Sequence, residues 1–190
     1  YLLENFPGVE LTGITPSTTQ IDYLREQIRD PSHPLSNGFT LIEDVFDESI
    51  VKKLGTEKFD LVISIGVFEQ LLNMDLMMKL IAELLKPGGY TFHHFITSKV
   101  TAPQVSLDEK TVIGKYFPGG RIWPHDEFSR HTKDLELEST WFINGKNYWR
   151  TLDEWHHRYW NKIPELYQSN FDLDEIRYWK ESIEIAKAEV

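Results

Sequence analysis

The rhythm of apolar and polar positions changes several times along the chain, and each change marks an element. The densest apolar run is Phe59 to Ile65, where Leu61, Val62, Ile63 and Ile65 follow Asp60 and Gly66 ends the run. Such a β-branched run predicts a parallel strand buried on both faces. Upstream, Tyr1-Leu2-Leu3 reads as the tail of a helix stopped by Pro7-Gly8, and Val9 to Ile14 as a short strand. Thr15-Pro16 then opens a helix, with Thr15 as N-cap and Pro16 at the first helical position. Ile21, Leu24 and Ile28 keep one apolar face until Pro31 and Pro34 interrupt it. Phe39 to Ile42 predicts a second strand, closed by Glu43-Asp44, and Glu48 to Leu54 a short helix. After the central run, Met74 to Leu85 predicts an amphipathic helix ended by Lys86-Pro87-Gly88-Gly89, and Tyr90 to Ile96 the next strand. Its methionines, Met74, Met77 and Met78, suit core filling. Strand and helix alternate, which predicts an α/β fold with a parallel, helix-covered sheet.

Beyond Lys99 the rhythm is lost until a strand is expected at Leu135 to Phe142. An aromatic-rich helical pair is expected from Tyr148 to Val190, broken near Ser169-Asn170. With 190 residues and 41% hydrophobic content, the chain suits one core and a single domain, 1–190. A net charge of −10 disfavours nucleic acid as a partner and gives no attraction to an anionic membrane. Cysteine is absent, so disulfides, thiolate metal sites and a cysteine nucleophile are excluded within these residues. Neither a spanning apolar run nor a signal-peptide pattern is present, and the expectation is a soluble, cytoplasmic protein.

In open α/β sheets ligands sit beyond the carboxyl ends of the strands. Gly66 to Gln70 occupy that position after the central run, with Glu69 as the carboxylate. The same glutamate equally suits the capping of a strand-to-helix turn. His93 and His94 alternate across their strand, so the pair is poorly placed to chelate one metal, and none is assigned. His156-His157 lies among charged helix residues and reads as surface.

The strings GITPSTTQ, FDLVISIGVFEQ, LLKPGGYTFHHFITSK, KYFPGG and NYWRTLDEW, in this order and spacing, cover nearly the whole chain. As a set they resemble the cyclopropane-fatty-acid/mycolic-acid synthase family of S-adenosylmethionine-dependent methyltransferases. That family includes plant alkaloid N-methyltransferases, to whose corresponding segment WFINGKNYWRTLDEW is similar. The resemblance implies a Rossmann-like class I methyltransferase, a three-layer sandwich with a mostly parallel sheet. Segments at about 100–132 and 145–190 would form its lid and acceptor wall. It implies that Thr15, Ser17 and Gln20 meet the sugar and methionine portions of S-adenosylmethionine, that Asp44 and Val45 hold its adenine, and that Ile65 and Gly66 pass close to it. Glu69, His94 and Tyr148 are the implied catalytic set. In the synthases such a set holds bicarbonate, the base for a carbocation formed on an unsaturated acyl chain. In an N-methyltransferase the glutamate and histidine orient or deprotonate a small-molecule amine. The expectation is methylene addition to an unsaturated lipid acyl chain, with a peripheral contact to membrane. Small-molecule N- or C-methylation and a non-catalytic scaffold are the alternatives.

Three departures qualify the resemblance. Gln70 stands where the family has histidine, which weakens the N-methyltransferase reading more than the synthase one. Lys115 stands where the synthases have tyrosine, and Tyr116 replaces it only with a one-residue shift. The family's glycine-rich first loop is not among these residues, and one further strand is expected after the last helix. The expectation is therefore a partial domain that, taken alone, is unstable and a poor binder of S-adenosylmethionine.

Overall fold

The computed structural model describes residues 1–99, 104–105, 114, 119–169 and 171–189. Lys115 and Tyr116, and with them much of the expected lid at about 100–132, lie outside the described residues. The chain divides into two compact units. The first is Tyr1–Ile65, Leu72–His94 and Lys133–Leu135, and the second is Gly66–Leu71, Phe95–Thr132 and Glu136–Val190.

The first unit carries the alternating pattern. Its elements are α1 (Leu2–Asn5), β1 (Leu11–Ile14), α2 (Thr18–Arg29), β2 (Phe39–Ile42), α3 (Glu48–Leu54), β3 (Phe59–Ile65), α4 (Met74–Leu84) and β4 (Leu85–His94). β1 and β2 pair in parallel from Leu11↔Phe39 to Ile14↔Ile42. β3 and β4 pair in parallel from Leu61↔Tyr90 to Ile65↔His94. The four expected parallel strands are present, as two separate pairs among the described residues. Side-chain caps set the helix starts: Asp47 accepts from the amides of Ser49 and Ile50 to open α3, and Asn73 from that of Leu76 to open α4. The start of α2 falls later than the sequence suggests. Ser17 is its N-cap, extended at ψ 115°, so the helix begins at Thr18 and not at Pro16. Val51, Leu80 and Leu84 form a buried cluster, with Phe46, Leu54 and Phe59 packed against it.

Two further differences concern β3 and β4. Lys86-Pro87-Gly88-Gly89 does not precede the strand but forms its irregular first part, with the register slipping between Phe59 and Leu61. Gly88 takes φ +77°, and a Cβ on Gly89 would lie 2.9 Å from the carbonyl oxygen of Lys86 and 3.2 Å from that of Asp60. Glycine is what lets the two backbones approach. The apolar run of β3 is also not covered on both faces. Leu61, Ile63 and Ile65 are exposed, as are their neighbours Tyr90 and Phe92 on β4. Alternation places Val62, Ser64, Thr91 and His93 on the half-buried face.

That face contains a histidine with both ring nitrogens engaged. The Thr91 hydroxyl donates to the Val62 carbonyl (3.2 Å) and lies 2.9 Å from His93 Nε2, while the Ser64 hydroxyl lies 2.9 Å from Nδ1. With the Thr91 proton committed to Val62, Nε2–H donates to Thr91 and Nδ1 accepts from Ser64, which defines a neutral tautomer. Burial pushes the His93 imidazole down to about 4.

In the second unit, β5 (Thr97–Ser98) pairs in parallel and β6 (Gln104–Val105) antiparallel with β7 (Arg121–Pro124). Helices α5 (Lys146–Leu166) and α6 (Leu173–Glu189) form the expected aromatic-rich pair. The Tyr159 hydroxyl donates to the Ile176 carbonyl, and Lys187 binds Asp153 while sitting 4.8 Å from the Trp149 ring centroid. No strand forms at 135–142, where an apolar segment finds no ladder partner among the described residues. His156 is not a surface residue like its exposed neighbour His157: it accepts from the Trp160 indole and lies 3.6 Å from Glu184 on α6.

Two expectations follow. The unfolded chain takes up a proton on His93 near pH 6.5 and the folded chain only near 4. Stability contributed by the neutral ring is therefore full above about pH 6.5 and falls by up to about 1.4 kcal/mol per pH unit on acidification toward pH 4. Urea titrations of the wild type and His93→Gln between pH 7 and 4.5 check this; a variant with the same slope as wild type refutes it. Gly89→Ala forces backbone apart at the β3–β4 register slip and costs about 1–3 kcal/mol, whereas Gly55→Ala, whose Cβ meets nothing within 4 Å, tests positive φ without crowding. Equal melting shifts for the two variants count against the crowding argument.

Candidate active site

The carboxyl ends of the first unit's strands bear the residues expected to hold a cofactor. After β1, Thr15 is buried; its hydroxyl donates to Gln20 Oε1 at 2.6 Å and accepts from the Ser17 amide at 3.2 Å. The Ser17 hydroxyl in turn accepts from the Gln20 amide at 3.5 Å. These bonds make Thr15, Ser17 and Gln20 one rigid capping turn and leave the amide nitrogen of the Gln20 side chain as an outward donor. After β2, Asp44 Oδ1 accepts from the Val45 amide at 2.9 Å, which leaves Oδ2 to accept from a hydroxyl or exocyclic amine beside the exposed Val45 side chain. The bidentate Arg25–Glu43 pair, at 2.8 and 2.7 Å, fixes the neighbouring carboxylate and keeps it out of that role. At the end of β3, Ile65 is exposed; Gly66, the first residue of the second unit, turns at φ +65° with nothing within 4 Å of where a Cβ would stand. A backbone open in this way admits a ligand at close range. His94, paired in register with Ile65, is exposed on the same strand face, whereas His93 is turned away and fully engaged.

The second unit holds Glu69 and Tyr148. Glu69 sits in a short 3-10 turn, Phe68–Gln70. Its Oε1 accepts from the Ile96 amide at 2.8 Å, and its Oε2 is buried with no hydrogen-bond partner among the described residues. Ion-dipole contact at one oxygen holds the carboxylate in place, and the other oxygen is left to take a proton or face a cation. Of the two readings open to the sequence, cap or site carboxylate, the cap is not what forms: the turn has no side-chain cap, and Glu69 reaches Ile96 instead. Gln70 is exposed. Tyr148 begins α5, with its ring 6.4 Å from that of Trp155. His94 belongs to the first unit, Glu69 and Tyr148 to the second.

The residues that fix this turn escaped sequence reasoning. Trp123 Nε1 donates to the Phe68 carbonyl at 2.8 Å, and the Phe68 ring packs with Phe95 and Phe128, at 5.9 and 5.0 Å between centroids. A tryptophan within a short apolar strand is the one local signal, since a buried indole N–H needs an acceptor.

Comparison with known proteins bears on what this arrangement serves. (S)-coclaurine N-methyltransferase of Thalictrum flavum subsp. glaucum is 26% identical over 159 residues, which cover 82% of this chain and 42% of that protein. Pavine N-methyltransferase of the same plant is 24% identical over 193 residues, 95% of this chain and 52% of that protein. The chain thus spans about half the length of these curated relatives. Among solved structures, coclaurine N-methyltransferase bound to N-methylheliamine and SAH superposes with TM-score 0.79 at 21% identity, over 99% of this chain and 57% of that one. A mycolic acid cyclopropane synthase complexed with SAH and CTAB gives 0.74 at 16%, over 98% and 67%. The fold is therefore that of the class I methyltransferases, an α/β arrangement with parallel strands. The family model for mycolic acid cyclopropane synthetase matches residues 3–189, and the chain belongs to that family.

Proposed function

We propose that the protein transfers a methyl group from S-adenosyl-L-methionine to a small-molecule or lipid acceptor. The observation that carries the reading is the Glu69 carboxylate, tethered to the Ile96 amide through one oxygen, with the other buried and without a partner among the described residues. Family membership and the fold support it. Bound S-adenosylmethionine supplies an electrophilic methyl carbon on a positively charged sulfur. Thr15, Ser17 and Gln20 are assigned to its sugar and methionine portions, and Asp44 with Val45 to its adenine. Gly66, following Ile65, leaves room for its close approach. Positioning of the acceptor in line with the sulfur–methyl bond is the main task left to the protein. We assign that task to the segments at about 100–132 and 145–190.

The acceptor has two readings, and each has its own support. The coclaurine and pavine N-methyltransferases among the relatives favour a small-molecule amine, with Glu69 and His94 orienting it and Glu69 receiving the proton that the methylated ammonium releases. The family model favours an unsaturated acyl chain, as does Gln70, which replaces the family's histidine and weakens the amine reading more than the synthase one. On that reading Glu69, His94 and Tyr148 would hold bicarbonate as the base that closes the ring.

Transfer of labelled methyl from S-adenosylmethionine to coclaurine and to vesicles of dioleoylphosphatidylglycerol, by the full-length protein, tests both. Label in either product supports methyl transfer and chooses the acceptor. Absence of label together with absence of S-adenosylmethionine binding in calorimetry overturns the reading in favour of a scaffold. With the active acceptor, Glu69→Gln lowers kcat by about 10² or more and leaves cofactor affinity nearly unchanged; a near-normal rate removes Glu69 from the catalytic set.

A further inference from the structure

We propose that Trp123 is the positioning residue for Glu69, holding both the backbone and the carboxylate of the Phe68–Gln70 turn. The proposal rests on the reading of Glu69 as the catalytic carboxylate. Two separate links lead from this one residue to Glu69, and both lie within the second unit.

The first link is the indole. Trp123 Nε1 donates to the Phe68 carbonyl at 2.8 Å, with Trp123 only 5% and Phe68 only 1% exposed. The Phe68 carbonyl and the Glu69 amide belong to one planar peptide group. Fixing that carbonyl fixes the plane from which the Glu69 side chain departs. The same carbonyl receives the Leu71 amide at a longer 3.2 Å, so the turn's own hydrogen bond is the weaker of its two restraints. Rotation of the peptide is further opposed by the Phe68 ring, closed in by Phe95 and Phe128, which themselves lie 4.8 Å apart. The indole is held in turn by the Arg121 guanidinium, 5.4 Å from its ring centroid.

The second link is the Trp123 backbone. Trp123 pairs with Thr97 in the parallel β5–β7 ladder. Ile96, the residue immediately before Thr97, gives its N–H to Glu69 Oε1 at 2.8 Å. The donor that orients the carboxylate is thus one residue from the ladder partner of Trp123. A phenylalanine at 123 fills most of the same space and keeps the ladder, but leaves the Phe68 carbonyl without its indole donor. The turn then loosens at the peptide that carries Glu69, and the direction of Oε2 is no longer set. Such a change reaches the rate of the chemical step before it reaches cofactor binding.

Full-length protein labelled with ¹⁵N in isoleucine and tryptophan reads the link without any acceptor. In the wild type the Ile96 amide signal moves with ionisation of the Glu69 carboxylate, and E69Q abolishes that movement. In W123F the movement loses most of its amplitude, while the signals of Ile42 and Ile50 in the first unit keep their positions. An Ile96 titration that is the same in W123F as in wild type overturns the proposal. The kinetic arm uses coclaurine or the phospholipid vesicles, whichever is methylated. There W123F lowers kcat about tenfold to hundredfold with KM for S-adenosylmethionine changed less than about twofold, and in an E69Q background the same substitution costs less than about twofold. Equal costs in the two backgrounds overturn the proposal, because a merely structural loss is indifferent to Glu69. If E69Q itself leaves methyl transfer normal, the catalytic reading of Glu69 falls, whereas the link from Trp123 to the turn is judged by the Ile96 titration alone. Should W123F fail to fold, proton exchange in the wild type decides. Equal slow rates for the Trp123 indole and Ile96 amide support one cooperative unit, and a fast indole beside a protected Ile96 overturns it.

Discussion

A peptide carbonyl buried away from water needs a donor, and that of Phe68 finds one 55 residues away in the indole of Trp123. On the proposed reading, the Glu69 turn depends on that bond. Glu69 follows directly in the chain, and its carboxylate reaches the Ile96 amide at the edge of the ladder that Trp123 itself extends. An unpartnered carboxylate oxygen in a buried place is costly, by about 1–3 kcal/mol for a neutral polar group and more for a charged one. Proteins tolerate such groups where the surroundings over-determine them and where chemistry uses them. Three aromatic rings, one indole and one ladder constitute that over-determination here.

The parts of this arrangement that the sequence made legible are those written in short range. Strand and helix alternation through residue 94 could be read because β-branched runs, caps and glycine stops act within a few residues of themselves. Glu69 was singled out because it follows a strand's carboxyl end, a position with chemical meaning in any α/β sheet. Errors arose where a distant or competing partner decides. The segment 135–142 has apolar residues enough for a strand, but strand status is conferred by a ladder partner and not by pattern. The start of α2 moved by two residues because Thr15 was read as a cap when its hydroxyl instead closes on Gln20, leaving Ser17 to cap. Trp123 and Ile96 were illegible for the same reason: their bonds to the turn span 55 and 27 residues.

His93 and His94 show how far a two-residue period can carry an argument. The alternation that disqualifies them as a joint metal site also separates their chemistry. His93 is sealed between Ser64 and Thr91 as a neutral ring, a structural group whose burial makes it a proton acceptor only in acid. His94 lies exposed on the face of β4 beside Ile65. On the proposed reading the strand thus spends one histidine on holding β3 to β4 and one on the acceptor.

One glutamate turn can serve both acceptor classes because the two reactions end alike. Methylation of a secondary amine makes a bond from nitrogen to the methyl carbon, breaks the sulfur–carbon bond and leaves an ammonium with one proton to lose. Methylation of an alkene uses the π electrons for the new bond and leaves a carbocation, which closes to a cyclopropane by losing one proton from the added methyl group. In each case a cation forms next to the site and must give up a proton. On the proposed reading, a carboxylate held through one oxygen, with the other buried and without a partner among the described residues, would stabilise that cation and take the proton, directly or through a bound base. The distinction between the two acceptors then falls on whatever wall surrounds the turn, not on the turn itself. On the proposed reading, acceptor specificity in this chain is then to be sought among the aromatic side chains of α5 and α6.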